Sequence, residues 1–422
     1  MPGISCPALL LSAPASGQGK TLASAALARA WRDRGLRVQM FKCGPDFIDP
    51  MILEVASGHP VYNLDLGMCG ETDARERLYR AAQTSDIILI EGVMGLFDGQ
   101  PSSADIAIRF GIPVALTIDA SAMAQTFGAL AAGLLGHDPA IQPAGAIANN
   151  IGSVGHAEFL QSSLPAHIPW LGALPKDTRY HLPERHLGLY LRHEIADLEA
   201  RIALAAKTLT ANAKLALPEQ VPFHAETLPA MPRLLDGKTI AVARDEAFCF
   251  LYPANLDCLQ ALGARLKFFS PLHDSALPEA EAVWLPGGYP ELHMSALSAN
   301  QGMRDSLRRA LAGGMPMLAE CGGMMALSAS IDDKPAFGLL PGKSRIETKL
   351  QGIGTQTVEL EGGRLHAHTF HHGIFDTSLP PWQTADSPYG NGEAIYRSGS
   401  LRASFLHFYF PSNPAVAAGF FL

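Results

Sequence analysis

The sequence predicts an α/β protein of two domains, each a mainly parallel sheet flanked by helices. Three observations carry that expectation. The chain has 422 residues, more than one ordinary core accommodates. Short apolar runs recur through the first half, at 7–13, 38–43, 86–91, 113–118, 144–148 and 169–174, with stretches of helical composition between them. A stretch at 213–237 then carries Pro218, Pro222, Pro229 and Pro232 without clear period, and "KTIAVARD" at 238–245 opens a second set of strands. Domains at 1–212 and 238–422, joined by a linker at 213–237, follow from that break.

Composition narrows the function classes. Hydrophobic residues make up 48% and charged residues 17%, which supports ample cores. With 32 basic and 40 acidic side chains the formal charge is −8, so a nucleic-acid partner is not expected. No apolar run reaches membrane-spanning length, and the N-terminus lacks the basic start and apolar stretch of a signal peptide. Six cysteines are scattered without C-x-x-C spacing, which predicts reduced thiols in a cytoplasm.

The first element is the apolar run 7–13, and the turn after it reads "APASGQGKT". A helical stretch from Thr21 to Arg34 follows, closed by Gly35, and then the strand 38–43. Strand, loop, helix, strand is the context a phosphate-binding loop needs. The closing Gly19-Lys20-Thr21 fits the G-x-x-x-x-G-K-[ST] pattern, while Pro14 replaces its first glycine. Ser16, Gly17 and Gly19 would let backbone N–H groups approach phosphate oxygens at a helix start. Lys20 would reach the outer phosphates of ATP, and the Thr21 hydroxyl would hold Mg²⁺. A plain strand-to-helix turn would use the same small residues; the placement of strand and helix favours the nucleotide.

Two acidic loops strengthen this reading. "CGPDFIDP" (43–50) carries Asp46 and Asp49, and "EGVMGLFDG" (91–99) carries Glu91 and Asp98. Both follow strands, where α/β proteins bind ligands and where carboxylates can hold Mg²⁺ directly or through water. Turn formation alone would also use Asp and Gly. The stretch 176–193 is locally basic, with Arg179, Arg185 and His186 among its members. It is either a binding patch for an acidic substrate or a solvated loop before a helix at about 194–212.

In the second half, "VWLPGGYPELH" (283–293) is a strand ending at Gly287-Gly288, followed by a helix. "MPMLAECGGMMALSAS" (315–330) is a strand, a small-residue turn bearing Cys321, and a helix. That turn has the geometry that exposes a nucleophile, and the helix start behind it favours thiolate. Backbone N–H groups at Gly287, Gly288 and Gly322 would form an oxyanion hole. "RASFLHFYFPSN" (402–413) puts His407 at the end of an apolar strand, positioned as the base. The competing histidine run "HAHTFHHG" (366–373) has no acidic or cysteine partner within it and is expected to line a substrate face or the domain interface.

Taken in order, "APASGQGKT", "KCGPDFIDP", "EGVMGLFDG", "LPGGYPELH", "ECGGMMAL" and "ASFLHFYF" resemble the cobyrinic acid and hydrogenobyrinic acid a,c-diamide synthase family across nearly the whole chain. The resemblance implies a P-loop NTPase-like synthetase domain of the dethiobiotin-synthetase type, followed by a class I glutamine amidotransferase-like domain. It implies glutamine hydrolysis at Cys321 with His407, ATP- and Mg²⁺-dependent activation of two acetate side chains of a corrin, and amidation of both. Thr21, Asp46 and Glu91 match metal positions, and Asp49 and Asp98 the substrate region. The implied partners are small molecules (ATP, glutamine and a tetrapyrrole polycarboxylate) and a second copy in a homodimer. Nickel-sirohydrochlorin diamide synthases and cobyric acid synthases share this architecture, and a partitioning-type ATPase switch shares the first half. Many amidotransferases carry H-x-E; His407-Phe408-Tyr409 lacks that acid.

Overall fold

The computed structural model describes residues 3–422 apart from 186, 187, 212, 214, 227–229 and 389, and only the backbone of 184, 185, 188 and 189. The chain divides into two compact units, Met1–Thr227 and Leu228–Leu422.

In the first unit the apolar runs become β1 (Gly3–Ser12), β2 (Val38–Cys43), β3 (Tyr62–Leu64), β4 (Ile87–Glu91), β5 (Val114–Asp119), β6 (Pro143–Ile151) and β7 (Trp170–Pro175). Between them run α1 (Lys20–Arg32), α2 (Ile48–Ser57), α3 (Glu71–Thr84), α4 (Ser103–Phe110), α5 (Thr126–Leu135) and α6 (Val154–Ser163). The strands are parallel in the order β3-β2-β4-β1-β5-β6-β7. Near-continuous apolar strands are what a sheet covered on both faces requires. Ile88 and Ile90 join one core, while Ile87 and Leu89 join the other. A short hairpin, β8 (Glu184–Arg185) and β9 (Gly188–Leu189), precedes α7 (Leu198–Ala211).

The 213–237 stretch is not all linker. Its Gln220–His224 segment forms β10, antiparallel to the first half of β1, with Pro222 opposite Ser5 and Val221 opposite Cys6. Val221 and Phe223 alternate inward into the core, and that burial recruits the segment into the first unit. Pro222 sits on an edge strand, where a missing N–H is tolerated.

In the second unit, β11 (Thr239–Ala243), α8 (Pro253–Ala261), β12 (Arg265–Phe269) and β13 (Ala282–Leu285) lead through α9 (Met294–Ala299) and α10 (Gln301–Ala312) to β14 (Met317–Glu320) and α11 (Gly322–Leu327). Then come β15 (Ser330–Ile331), β16 (Lys334–Pro335), β17 (Lys343–Ile346), β18 (Gly352–Leu360), β19 (Gly363–His371), β20 (Gly373–Asp376), β21 (Gln383–Thr384), β22 (Ala394–Ser398), β23 (Leu401–Ser404), β24 (His407–Phe408) and α12 (Pro414–Ala418). The main sheet has the order β12-β11-β13-β14-β23-β22-β21 and is parallel from β12 to β23. Strands β18, β19 and β24 form a separate antiparallel sheet. Among the described residues no helix is long and apolar enough to cross a membrane.

Candidate active sites

The phosphate loop leaves β1 and enters α1 at Lys20. Gly17 and Gly19 have φ of 75° and 83°, the left-handed region that glycine enters without steric cost. At Gly19 a side chain is also excluded by packing: its Cβ would lie 2.1 Å from Asn149 Nδ2. Asn149 sits near the end of β6 and donates to the Gln18 carbonyl at 3.1 Å, while Gln18 Oε1 accepts the Asp119 N–H at 2.9 Å. The ends of β5 and β6 therefore fix the loop. Ser16 and Gly17 are exposed at its crest. Lys20 is folded back, its Nζ donating to Ala15 O (3.2 Å) and Met94 O (2.6 Å). Burial pushes its pKa down to about 8, and Lys42 acts in the same direction.

The two acidic loops meet beside it. Glu91, at the end of β4, is fully buried; its Oε1 accepts from the Thr21 hydroxyl (3.1 Å) and from Lys42 Nζ (2.7 Å). Lys42 lies one strand over on β2 and also contacts Asp49 Oδ2 at 2.8 Å and Asp46 Oδ2 at 4.0 Å. Burial opposes the Lys42 charge, but Asp49, Glu91 and Asp46 outweigh it and hold its pKa well above the usual lysine value. Asp49 is held low by that ammonium against the cost of burial. Asp46 is pushed up by burial and by the neighbouring Asp49 charge. Asp46 Oδ1 is occupied at the start of α2, accepting the N–H groups of Ile48 (2.7 Å) and Asp49 (3.4 Å). Asp98 closes its own loop by accepting the Gly95 N–H at 2.8 Å.

Among the described residues no group of three His, Cys, Asp or Glu side chains is arranged to hold a metal ion; the cation among these carboxylates is Lys42. Glu91 Oε2 is nonetheless buried without a hydrogen-bond partner, and the Thr21 hydroxyl adjoins its other oxygen. An oxygen-rich corner with one unused buried carboxylate oxygen suits Mg²⁺ chemically.

The basic stretch stands apart from this picture. Arg179 is exposed and paired with Asp177 on its own turn. The side chain of Arg185 and all of His186 lie outside the described residues.

In the second unit Cys321 occupies the turn between β14 and α11 with φ 46° and ψ −110°, a strained conformation for a residue with a side chain. Its N–H is tied to Ser404 O at 2.7 Å, so β23 anchors the turn. The structure brings the sequence-selected glycines to this turn. A Cβ on Gly287 would lie 2.3 Å from His407 Cε1, 3.1 Å from His407 Nδ1 and 3.3 Å from Cys321 Cβ. A Cβ on Gly322 would lie 2.6 Å from Gly288 O and 3.0 Å from Gly288 N. Thiol, imidazole and the backbone of 287, 288 and 322 thus share one small volume.

The expected thiolate is not what this environment favours. Burial, followed by the Glu291 charge, raises the Cys321 pKa beyond the ordinary thiol range, and the Gly322 N–H opposes only part of that. His407 is likewise depressed well below its usual value by burial, with His368 and His371 adding to the effect. Both shifts favour a neutral thiol beside a neutral imidazole.

His407 is not at the end of a main-sheet strand. β23 stops at Ser404, whose hydroxyl accepts the Leu406 N–H at 3.1 Å, and the chain then joins β19 as β24, with His407 opposite His368. His368 and His371 are buried on β19 beside His407. The His368 ring lies 6.5 Å from that of His407, tilted by 27°. His371 bonds Glu393 Oε1 at 2.8 Å and stacks on Phe405 at 3.9 Å.

Comparison with known proteins agrees with this division. Residues 9–189 match the CobQ/CobB/MinD/ParA nucleotide binding domain, and residues 239–415 match the CobB/CobQ-like glutamine amidotransferase domain. Over 98% of its length the chain is 54% identical to a hydrogenobyrinate a,c-diamide synthase of Stutzerimonas stutzeri, covering 98% of that protein. It is 52% identical to the protein of the same name in Pseudomonas aeruginosa, covering 98% of this chain and 97% of that one. A cobyrinate a,c-diamide synthase of Herminiimonas arsenicoxydans is 48% identical, at 98% and 96% coverage. The chain belongs to the a,c-diamide synthase family.

For an a,c-diamide synthase the most informative additions are residues that sequence reasoning passed over. Lys42 was hidden inside the strand "VQMFKC", and only the fold shows it as the hub of three carboxylates. Asn149 follows an apolar run as the first residue of a polar pair, a faint signal for a strand end that meets a ligand loop. Glu320 stands beside Cys321 and is buried.

Proposed function

We propose that this a,c-diamide synthase converts two acetate side chains of hydrogenobyrinic acid to amides, using ATP, Mg²⁺ and glutamine. The observation that carries the reading is one chain holding two distinct centres: a Cys–His pair pressed against a common glycine, and a phosphate loop above a buried Lys–carboxylate cluster. The two relatives named for hydrogenobyrinate exceed in identity the one named for cobyrinate, which supports the metal-free acid as substrate.

In the second unit the Cys321 sulfur adds to the glutamine carboxamide carbon as His407 takes the thiol proton. A neutral pair is suited to this step, because a neutral imidazole can take up the proton that the buried thiol holds tightly. N–H groups at Gly287, Gly288 and Gly322 would meet the oxyanion. The C–N bond breaks, ammonia leaves with the proton from His407, and water hydrolyses the thioester to glutamate. In the first unit a substrate carboxylate attacks the γ-phosphorus of ATP and ADP leaves. Ammonia then displaces phosphate from the acyl phosphate. Lys20 would release its loop carbonyls to meet the phosphates, and Lys42 and Asp49 would act where the carboxylate is activated. Thr21, Glu91 and Asp46 would hold Mg²⁺, which neutralises phosphate charge when bound. Arg179, Arg185 and His186 remain candidates for recognising peripheral carboxylates of the substrate. The resemblance extends to a cytoplasmic homodimer, which sedimentation of the purified chain tests.

The test is incubation with ATP, Mg²⁺, glutamine and either hydrogenobyrinic or cobyrinic acid, read by mass spectrometry. Two acid-to-amide conversions with the metal-free acid are expected. No conversion of either acid would refute the reading, and conversion of cobyrinic acid alone would refute the substrate choice.

A further inference from the structure

Glu320 is the last residue of β14 and the immediate neighbour of Cys321, and it is 2% exposed. Both of its oxygens are engaged. Oε2 accepts from Trp284 Nε1 at 2.9 Å, on the adjacent strand β13, and Oε1 accepts the Phe408 N–H at 2.9 Å. Phe408 follows His407 directly. On its other side the same residue is held by Asn255, whose Nδ2 donates to Phe408 O at 2.7 Å and whose Oδ1 accepts the Phe410 N–H at 2.8 Å. Strand β24 is two residues long, lies outside the main sheet and, among the described residues, pairs with β19. Its attachment to the main sheet beside the nucleophile therefore runs through a buried carboxylate.

Burying a carboxylate costs several kcal/mol, and a hydrocarbon of similar volume packs more cheaply. The carboxylate does one thing a hydrocarbon cannot: it accepts two N–H groups from two separate strands. We infer that Glu320 is a positioning residue for the thiol chemistry, locking the peptide that follows His407 to the strand that carries Cys321. Where H-x-E domains place an acid two residues beyond the histidine, this chain supplies one from the nucleophile's own strand, and it grips backbone instead of imidazole. Burial raises the Glu320 pKa to about 8 while both N–H donors oppose that rise. An N–H donor on each carboxyl oxygen favours the ionised form against that burial.

The inference rests on the reading of Cys321 and His407 as a glutaminase pair. The test is Glu320→Gln in the full chain. Gln keeps one acceptor oxygen but sets an NH₂ against one of the two donors. Glutamine hydrolysis should lose about 100-fold in kcat with the glutamine KM within about twofold, the scale of a displacement near 1 Å in a reacting pair. Inactivation of Cys321 by a diazoketone analogue of glutamine should slow in parallel. Amidation with ammonium salt should stay at the wild-type rate, which excludes general misfolding. A folded variant with glutaminase kcat within twofold of wild type overturns the inference, whatever its melting temperature. If Glu320→Gln yields no folded protein, Trp284→Phe, which removes the Oε2 donor together with part of the buried ring packed on Phe410, decides by the same criterion with an expected loss of about tenfold. Wild-type enzyme that ignores glutamine would instead remove the glutaminase reading itself, and this inference with it.

Discussion

In the first unit, Lys42 lies 2.7 Å from Glu91 and 2.8 Å from Asp49, so buried charge is met by buried charge. In the second, Cys321 and His407 are buried just as deeply, yet both are driven toward their neutral forms. Each arrangement suits a different chemistry. A site for a polyphosphate must present charge throughout and keeps it in place with counter-ions. A thiol–imidazole pair creates its charges during the reaction, so the resting site can be dry, and backbone N–H groups meet the charge as it develops. The comparison predicts that each site breaks in its own way.

The largest effect should come from Cys321→Ala. Glutamine-dependent amide formation should fall to background, while amidation with ammonium salt continues near the wild-type rate. Product mass spectrometry with the two nitrogen sources in parallel checks this. Retained glutamine-dependent turnover would show that the buried thiol is an ordinary core residue.

Next in size is Lys42→Met. Removing the hub leaves the buried Glu91 and the half-buried Asp49 without their cation, and breaking a buried ion pair from one side costs about 3–5 kcal/mol. A drop in the melting temperature of the first unit is expected, together with loss of amidation from both glutamine and ammonium salt. That pattern is the opposite of Cys321→Ala, where only one nitrogen source fails. Unchanged stability on calorimetry would mean that the cluster relaxes by protonation, as the upward displacement of Asp46 and Glu91 already allows.

What the sequence conveyed and what it concealed follow the same division. Apolar runs and glycine-rich turns are local signals, so the strands, the phosphate loop and the Cys321 elbow were legible. Partners far apart in sequence were not. Lys42 meets Glu91 across 49 positions, and Glu320 meets Phe408 across 88. A lysine inside an apolar strand and a glutamate before a cysteine on a turn look incidental until the sheet order is known. The segment 220–224 looks like linker in the sequence because its prolines mask a two-residue alternation that only pairing with β1 reveals. The apolar run "ASFLHFYF" suggests a single continuing strand to His407, and nothing local marks the departure at Ser404.

A smaller effect should appear in thiol reactivity. Since burial raises the Cys321 pKa above the thiol range, alkylation by iodoacetamide should be slow at pH 7 and still rising at pH 9 in the enzyme without glutamine. Mass mapping of the modified cysteine against time and pH measures it. A plateau below pH 8 would mean that His407 already holds the thiol proton at rest, and the contrast between a charged and a neutral site would fail.

The smallest effect concerns His368, whose pKa burial depresses to about 3, with His371 adding to the shift. The unfolded chain binds a proton at this position near pH 6.5, and the folded chain does not. The stability it contributes is therefore full above about pH 6.5 and is lost as pH falls from there toward 3. His407 acts in the same direction beside it. Replacing His368 with Asn removes one of these protons, so the fall in stability of the second unit below pH 6.5 should become shallower by up to about 1.4 kcal/mol per pH unit. Denaturant melts of both proteins between pH 4.5 and 7.5 give the two slopes. The slopes are compared and not the absolute stabilities, because the substitution also changes packing at a buried position by an amount that does not vary with pH. Equal slopes would place a proton on His368 in the folded protein, and the neutral surroundings inferred for His407 would have to be abandoned with it.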